Sequence, residues 1–374
     1  MFFNVFTAFE YSSGLIKKSR HRLGFKMVRE SLVFVTDIGI VYKIIEINRA
    51  HLSLFLSYQQ VAPFGLSLFL LMIVYSMLFV TLLLAFTAIA VALGGSYGGI
   101  KQQWPRLLFA LGLGLMINLY GAWFLLSLHV KYLFWSVVVV VVRAIFNPKM
   151  PLSNKQLKKR TALFLPLALI CIALCVLYFT GTRSAYNTVN LGFPLKHGKY
   201  MVQQGGKGLP TNIFHYTYRG AYFAMDIVKL NKAGNRAKAI FSKNLQDYEI
   251  YGDTVYAPCS GRVMTARSEN PDNIPPNRMR GPSNTNQVLI GTDSYYVFMA
   301  HLKQNCVFVR EGDSVTKGQA IACAGNSGFS LEPHLHIQVH MRSNSGLPWY
   351  KEKPLYILFD GESYLLFETI NSGK

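Results

Sequence analysis

The chain reads as an N-terminal α-helical transmembrane region followed by a C-terminal all-β domain. Three observations predict this. Long apolar runs are confined to the first half. The second half alternates apolar and polar residues between Gly, Asn and Pro turns. Charge divides at the same place: residues 1–182 hold 17 Lys+Arg against 4 Asp+Glu, and residues 183–374 hold 21 against 14, so the net +20 is 13 plus 7. The 51% hydrophobic content is therefore an average over two unlike halves. A basic excess beside apolar spans is what cytoplasmic flanks carry. We expect no nucleic-acid partner, because the basic residues border spans instead of forming a stripe within the alternating half.

Residues 1–60 form a basic, partly amphipathic region. Its lead carries Lys17, Lys18, Arg20, Arg22, Lys26 and Arg29 and lacks the short apolar core and cleavage site of a signal peptide. Asp37, Lys43 and Glu46 interrupt the next apolar pattern, which reads as an amphipathic helix on the membrane or bundle, or as an ordinary cytoplasmic helix. Residues 61–182 are the transmembrane region, with three or four helices. The charge-free run 62–94 is one long tilted span or a tight hairpin. Trp104, Pro105 and Arg106 open a second span, 107–128. A third candidate, 131–146, is short and carries Arg143 near its end. It reads as a span, a re-entrant piece or an interfacial helix. The run 162–180 is a span preceded by Lys155, Lys158, Lys159 and Arg160. That cluster keeps its loop in the cytoplasm and sends residues 183–374 outside. Four spans would put the N-terminus outside and three inside; the basic lead favours inside. With only Asn118 and Arg143 as intramembrane polar candidates, the region reads as an anchor or assembly platform in the lipid bilayer, not a transporter.

In the second half, strands are expected at 224–230, 286–291, 295–302 and 336–342. A hairpin is expected over 309–323, turning at Gly312-Asp313 and Lys317-Gly318. Cys171 and Cys175 read as small apolar residues of the last span. Cys259, Cys306 and Cys323 allow one disulfide, with all three pairings open. Residues 325–340 read GNSGFSLEPHLHIQVH. On a strand, residues two apart share a face, so His334 and His336 present paired imidazoles while Leu335 and Ile337 point into the core. Such a pair can hold a metal together, or one ring can hold it while the other serves its water. Glu332 is expected to shape the turn, His197 and His340 to lie on the surface, and His51 and His129 near membrane interfaces.

Four features recur in order: Tyr222 to Asp226 (YFAMD), Tyr256 to Arg262 (YAPCSGR), Met299 to Leu302 (MAHL), and the Gly325–Gly328 turn leading to His334-Leu335-His336. In this order and spacing they resemble the M23 metallopeptidases, the lysostaphin or LytM-like peptidoglycan endopeptidases, over roughly residues 193–342. The resemblance implies an extracytoplasmic LytM-like (lysostaphin-type) peptidase domain in 183–374. It implies one Zn2+ held by Asp226 and His336, with His301 and His334 in acid/base and oxyanion roles. It also implies a zinc metalloendopeptidase cleaving peptide cross-links of bacterial peptidoglycan; together with the spans read above, this gives an expected multi-pass protein of the bacterial cytoplasmic membrane. One position departs from the family pattern: Tyr222 stands where the first metal ligand belongs, four residues before Asp226. A phenol keeps its proton at neutral pH, so we expect His215, on the preceding run, to be the third ligand. Without it the domain would be an inactive LytM-like module that binds cell wall or activates another hydrolase. Any membrane partner protein is left open.

Overall fold

The computed structural model describes residues 72–94, 99–144, 151–185, 187–217, 220–276 and 282–373. The basic lead, the amphipathic helix expected before residue 60 and His51 lie outside the described residues. Among the described residues, four helices come first: α1 (Met72–Leu93), α2 (Gly99–Tyr120), α3 (Leu128–Ala144) and α4 (Asn154–Thr180). Among the described residues, α1 and α4 are long and apolar enough to cross a membrane by length and composition, and α3 is a shorter apolar helix. The second element differs from its expected 107–128 span. Trp104, Pro105 and Arg106 lie inside α2, and the helix stops at Tyr120. A side chain at Gly121 would meet the Ile117 carbonyl oxygen at 2.4 Å, so the chain turns there without a Cβ. It then enters the short 3-10 helix Trp123–Leu125. α4 begins well before residue 162 because Ser153 and Gln156 form a reciprocal capping box.

All four helices feed one apolar core: Ala85 and Ala88 of α1, Leu113 and Ile117 of α2, Phe134 and Val138 of α3, and Cys171 of α4. Their outer faces are apolar as well. Phe79, Phe86, Leu133, Val140, Leu163 and Ile170 are each more than half exposed.

A second core joins these helices to the β domain. Ala122, Phe124, Leu125, Leu128 and Tyr178 pack against Met201, Val228, Leu230, Leu365, Leu366 and Phe367, with Val74, Met77 and Leu78 alongside. Phe124 and Phe367 rings lie 5.0 Å apart, the Tyr178 hydroxyl donates to the Leu366 carbonyl, and Leu128 N–H donates to the Gly234 carbonyl at 3.2 Å. The start of α1, the end of α2, the start of α3 and the end of α4 thus all face the β domain. At 1.5 Å per residue, Lys155 lies roughly 35 Å along α4 from Tyr178.

The β domain contains β1 (Thr188–Leu191), β2 (Gly198–Gln204), β3 (Met225–Leu230), β4 (Thr254–Tyr256), β5 (Gly261–Arg267), β6 (Gln287–Gly291) and β7 (Tyr295–Ala300). It continues with β8 (Leu302–Val307), β9 (Ser314–Val315), β10 (Ala320–Ala324), β11 (Leu335–Met341), β12 (Pro354–Phe359) and β13 (Thr369–Ser372). The larger sheet runs β13-β2-β3-β11-β7-β6-β5-β9, with β12 on β11 and β1 parallel to β12; the smaller runs β4-β10-β8. Side chains of both sheets, including Val202, Ile227, Met299, Leu335 and Ile337 from the larger and Val255, Ala322 and Ala324 from the smaller, fill the core. The hairpin expected over 309–323 does not form. Gly312 and Gly318 make the two turns with φ of 93° and 85°, but β9 pairs with β5 and β10 with β4 and β8. Of the three open cysteine pairings, the structure forms Cys306–Cys323, joining β8 to β10 with Cα atoms 5.5 Å apart. Cys259 remains a buried thiol.

Candidate metal centre

The site lies where β3, β11 and β7 run side by side. His336 of β11 is opposite Asp226 of β3 and, on its other side, Ala300 of β7. β7 ends at that alanine. The next residue, His301, has φ of 63°, a left-handed conformation that side chains other than glycine seldom take. It turns the chain toward β8. His334 ends the turn that leads into β11. His215 comes from the single helical turn α5 (Ile213–Tyr216). All four imidazoles are buried.

Distances bring the five groups together. His336 Nδ1 is 2.9 Å from Asp226 Oδ1, His334 Nε2 is 3.4 Å from the same oxygen, and His215 Nε2 is 3.4 Å from Asp226 Oδ2. The His301 ring centre is 4.7 Å from that of His334 and 5.7 Å from that of His336. The other ring nitrogens are committed to the protein. The Asn212 amide nitrogen donates to the carbonyls of Tyr222 and Ala224, both at 2.9 Å. Its oxygen therefore faces His215 Nδ1, at 2.8 Å, and accepts that N–H. The Ser327 carbonyl accepts from His301 Nδ1 at 2.8 Å, and the Glu332 carbonyl accepts from His334 Nδ1 at 2.8 Å. A carbonyl oxygen can only accept, so in the neutral imidazoles the Nε2 atoms of His215, His301 and His334 keep lone pairs. Those of His215 and His334 are turned toward the Asp226 carboxylate, an arrangement that a cation, whether a proton on a ring or a metal ion, would satisfy.

The same geometry governs protonation. Burial works against the charged form of Asp226, yet His215 and His334 beside it hold its carboxyl well below the usual value of 3.8. Burial likewise opposes charge on His334, but Asp226 outweighs it and raises the imidazole above 6.5. His301 is lowered well below 6.5 by burial and by the charges of His334 and His336.

His215, Asp226 and His336 each offer a ligand atom, all within 4.8 Å of one another. Two imidazoles and a carboxylate in that spacing suit a divalent metal such as zinc, with a position left for water. Outer contacts of this kind orient metal-binding histidines. Tyr222 is engaged elsewhere: its ring lies 3.6 Å beneath the Arg183 guanidinium.

The turn carrying His334 is braced from behind. Arg236 Nε and NH2 donate to the two Glu332 carboxylate oxygens at 2.8 and 2.6 Å, Gln203 donates to Oε1 at 2.7 Å, and the Arg236 guanidinium lies 5.3 Å from the Phe124 ring centre. Glu332 shapes the turn as expected, through a buried ion pair of a kind costly to break on one side. His340 corrects an expectation. It is fully buried, not on the surface, because the Trp349 ring stands edge-on to it at 5.3 Å. His197 is exposed, and so is His129, whose Nε2 is 3.2 Å from the Lys232 carbonyl. Asn212, Arg236 and Gln338 were not singled out by sequence, where they carry no motif.

No curated protein matches the chain. Among solved structures, it is similar to a zinc-containing peptidase from Vibrio cholerae, with 20% identity over 43% of this chain and 38% of that one, TM-score 0.27. It is similar to the catalytic domain of the antimicrobial peptidase lysostaphin from Staphylococcus simulans, with 21% identity over 41% and 82%, TM-score 0.22. A third is a mutant catalytic domain of the prophage-encoded M23 protein EnpA from Enterococcus faecalis, with 18% identity over 29% and 76%, TM-score 0.19. The chain spans 38% of the length of the first of these. Three of the four converging histidines, His301, His334 and His336, fall within residues 244–348, the stretch of this chain that matches peptidase family M23.

Proposed function

We propose that the protein is a membrane-anchored zinc metalloendopeptidase that cleaves peptide cross-links of bacterial peptidoglycan. The observation that carries this reading is the convergence of His215, Asp226 and His336 with two further histidines in a domain matching peptidase family M23. His215 through Nε2, Asp226 through its carboxylate and His336 through Nδ1 would hold the zinc. When bound, zinc supplies a Lewis acid for the scissile carbonyl and lowers the pKa of its water. The chain's own groups do the rest. His301, kept neutral by its surroundings, offers Nε2 as a base while Ser327 fixes the ring through Nδ1. His334, whose imidazole is raised by Asp226, is the better placed of the two to take up a proton and donate it toward the developing oxyanion or the leaving amine.

The helical region supports membrane placement through its apolar outer faces, where side chains such as Phe86 and Val140 are more than half exposed. α1 to α4 then cross as an up-and-down bundle, a multi-pass arrangement in the cytoplasmic membrane. Lys155, Lys158, Lys159 and Arg160 lie at the end away from the β domain, on the cytoplasmic side. A reporter fused after residue 185 is expected to be active outside the cytoplasm; activity of that fusion in the cytoplasm would reverse the orientation.

The enzymatic reading is tested with the full chain in detergent, purified peptidoglycan and mass spectrometry. New amino and carboxyl termini in the stem or bridge peptides are expected; a chelator should abolish them and zinc restore them. A chain that carries zinc yet releases no peptide would be the inactive wall-binding or activating module.

A further inference from the structure

One buried histidine has no part in the chemistry above. His340, Gln338 and His336 alternate along β11 and so share a face, and they form a hydrogen-bonded row. His340 Nδ1 is 2.9 Å from the Glu352 carbonyl oxygen. His340 Nε2 is 3.2 Å from the Gln338 amide nitrogen. The Gln338 amide oxygen is 3.0 Å from His336 Nε2, and His336 Nδ1 is 2.9 Å from Asp226 Oδ1.

The direction of every bond in this row follows from its far end. A backbone carbonyl only accepts, so the His340 proton sits on Nδ1 and Nε2 is an acceptor. The Gln338 amide must then turn its NH2 toward His340 and its oxygen toward His336. That oxygen also only accepts, so the His336 proton sits on Nε2. The remaining lone pair, on Nδ1, points at Asp226. Reversing the row would set the His340 Nδ1 lone pair against the Glu352 carbonyl oxygen 2.9 Å away, or require a second proton on a ring where burial opposes charge. The far end is itself anchored. The Met341 N–H donates to the Lys353 carbonyl at 2.8 Å, the Glu352 carboxylate accepts from the Ser343 hydroxyl at 2.8 Å, and Trp349 covers His340.

The structure assigns Gln338 and His340 as positioning residues that hold His336 in its Nε2–H tautomer, so that Nδ1 is presented as the metal-binding atom. The assignment rests on the metal site proposed above. It adds to that site a means of fixing which nitrogen of His336 faces inward. Without it, the carboxylate of Asp226 would draw the His336 proton to Nδ1, where it would have to leave before any metal could bind.

The test uses the full chain in detergent, labelled with 15N-histidine, with the His336 signals identified by their loss in His336→Asn. In the metal-free wild type, His336 is expected as the Nε2–H tautomer. Gln338→Leu removes the acceptor. It should move the proton to Nδ1 and weaken zinc binding by about 10–100-fold in competition with a chelator, the usual cost of losing an outer contact to a ligand. Gln338→Glu keeps an acceptor at the same place and should restore both the tautomer and most of the affinity. An Nδ1–H tautomer in the wild type overturns the assignment. So does a Gln338→Leu chain with unchanged tautomer and affinity, or a Gln338→Glu chain as impaired as Gln338→Leu. If the tautomer responds as expected but no variant binds zinc, the assignment of Gln338 stands and the zinc site falls.

Discussion

Asp226→Ala is expected to leave the chain without zinc, against about one zinc per wild-type chain expected for a site of this kind. The carboxylate is the group on which the nitrogens of His215, His334 and His336 converge, at 3.4, 3.4 and 2.9 Å. Removing it takes away both a ligand and the negative charge that offsets a divalent ion in a buried place. His336→Ala and His215→Ala are expected to empty the site to a similar degree, because two remaining ligands do not make a closed set. Tyr222→Phe should keep its zinc, since that ring is spent beneath Arg183 and a phenol must first lose a proton near pH 10 to compete. Metal analysis of the four purified variants decides the matter. Loss of zinc from Tyr222→Phe together with its retention in His215→Ala would exchange the two assignments.

The second large effect is on turnover. His301→Ala and His334→Ala should each keep most of the zinc and lose at least about 100-fold in peptide release, the scale of a positioned acid or base. The two rings stand 4.7 Å apart and are pushed in opposite directions. His301 is lowered by burial and by the neighbouring imidazoles, and His334 is raised because Asp226 overcomes its burial. Two imidazoles shifted in opposite directions suit a division of labour in which His301 takes a proton from water and His334 returns one to the leaving group. If both variants lost zinc instead, ligands and acid/base groups would have been confused.

How far this site can be read from sequence depends on which interactions are local. Strand parity alone places His334 and His336 together and sends Leu335 and Ile337 inward, where both are fully buried. Parity also put His340 on that face, but sequence does not show that the segment around Trp349 folds over it, so a surface position was expected. Gln338 and Asn212 were invisible for a related reason: each matters through a carbonyl or ring brought near by the fold. The supposed hairpin over 309–323 shows the same limit. Gly312 and Gly318 mark two turns correctly, yet a turn does not reveal the strand's partner, and β9 and β10 go to different sheets. In the helical half, composition located the apolar runs, whereas the limits of α2 and α4 depended on the close contacts at Gly121 and on the Ser153 capping box.

The apolar core shared by Phe124, Leu128 and Tyr178 with Met201, Val228 and Phe367 sets a working height. A hydrolase on a loose stalk sweeps a volume and can follow its substrate through a thick meshwork. Here the stalk is replaced by a footing: the last turn of α4 is sealed to the domain. Arg236 lies between the Phe124 ring and Glu332, and the Glu332 carbonyl holds the His334 ring. With α1 to α4 in a bilayer as proposed, the groups of the candidate metal centre would stand at one elevation above the lipid. If peptidoglycan is the substrate, strands of wall that pass at that elevation would be within reach and those farther out would not, so growth at the membrane face would feed the site and the older outer layers would escape it.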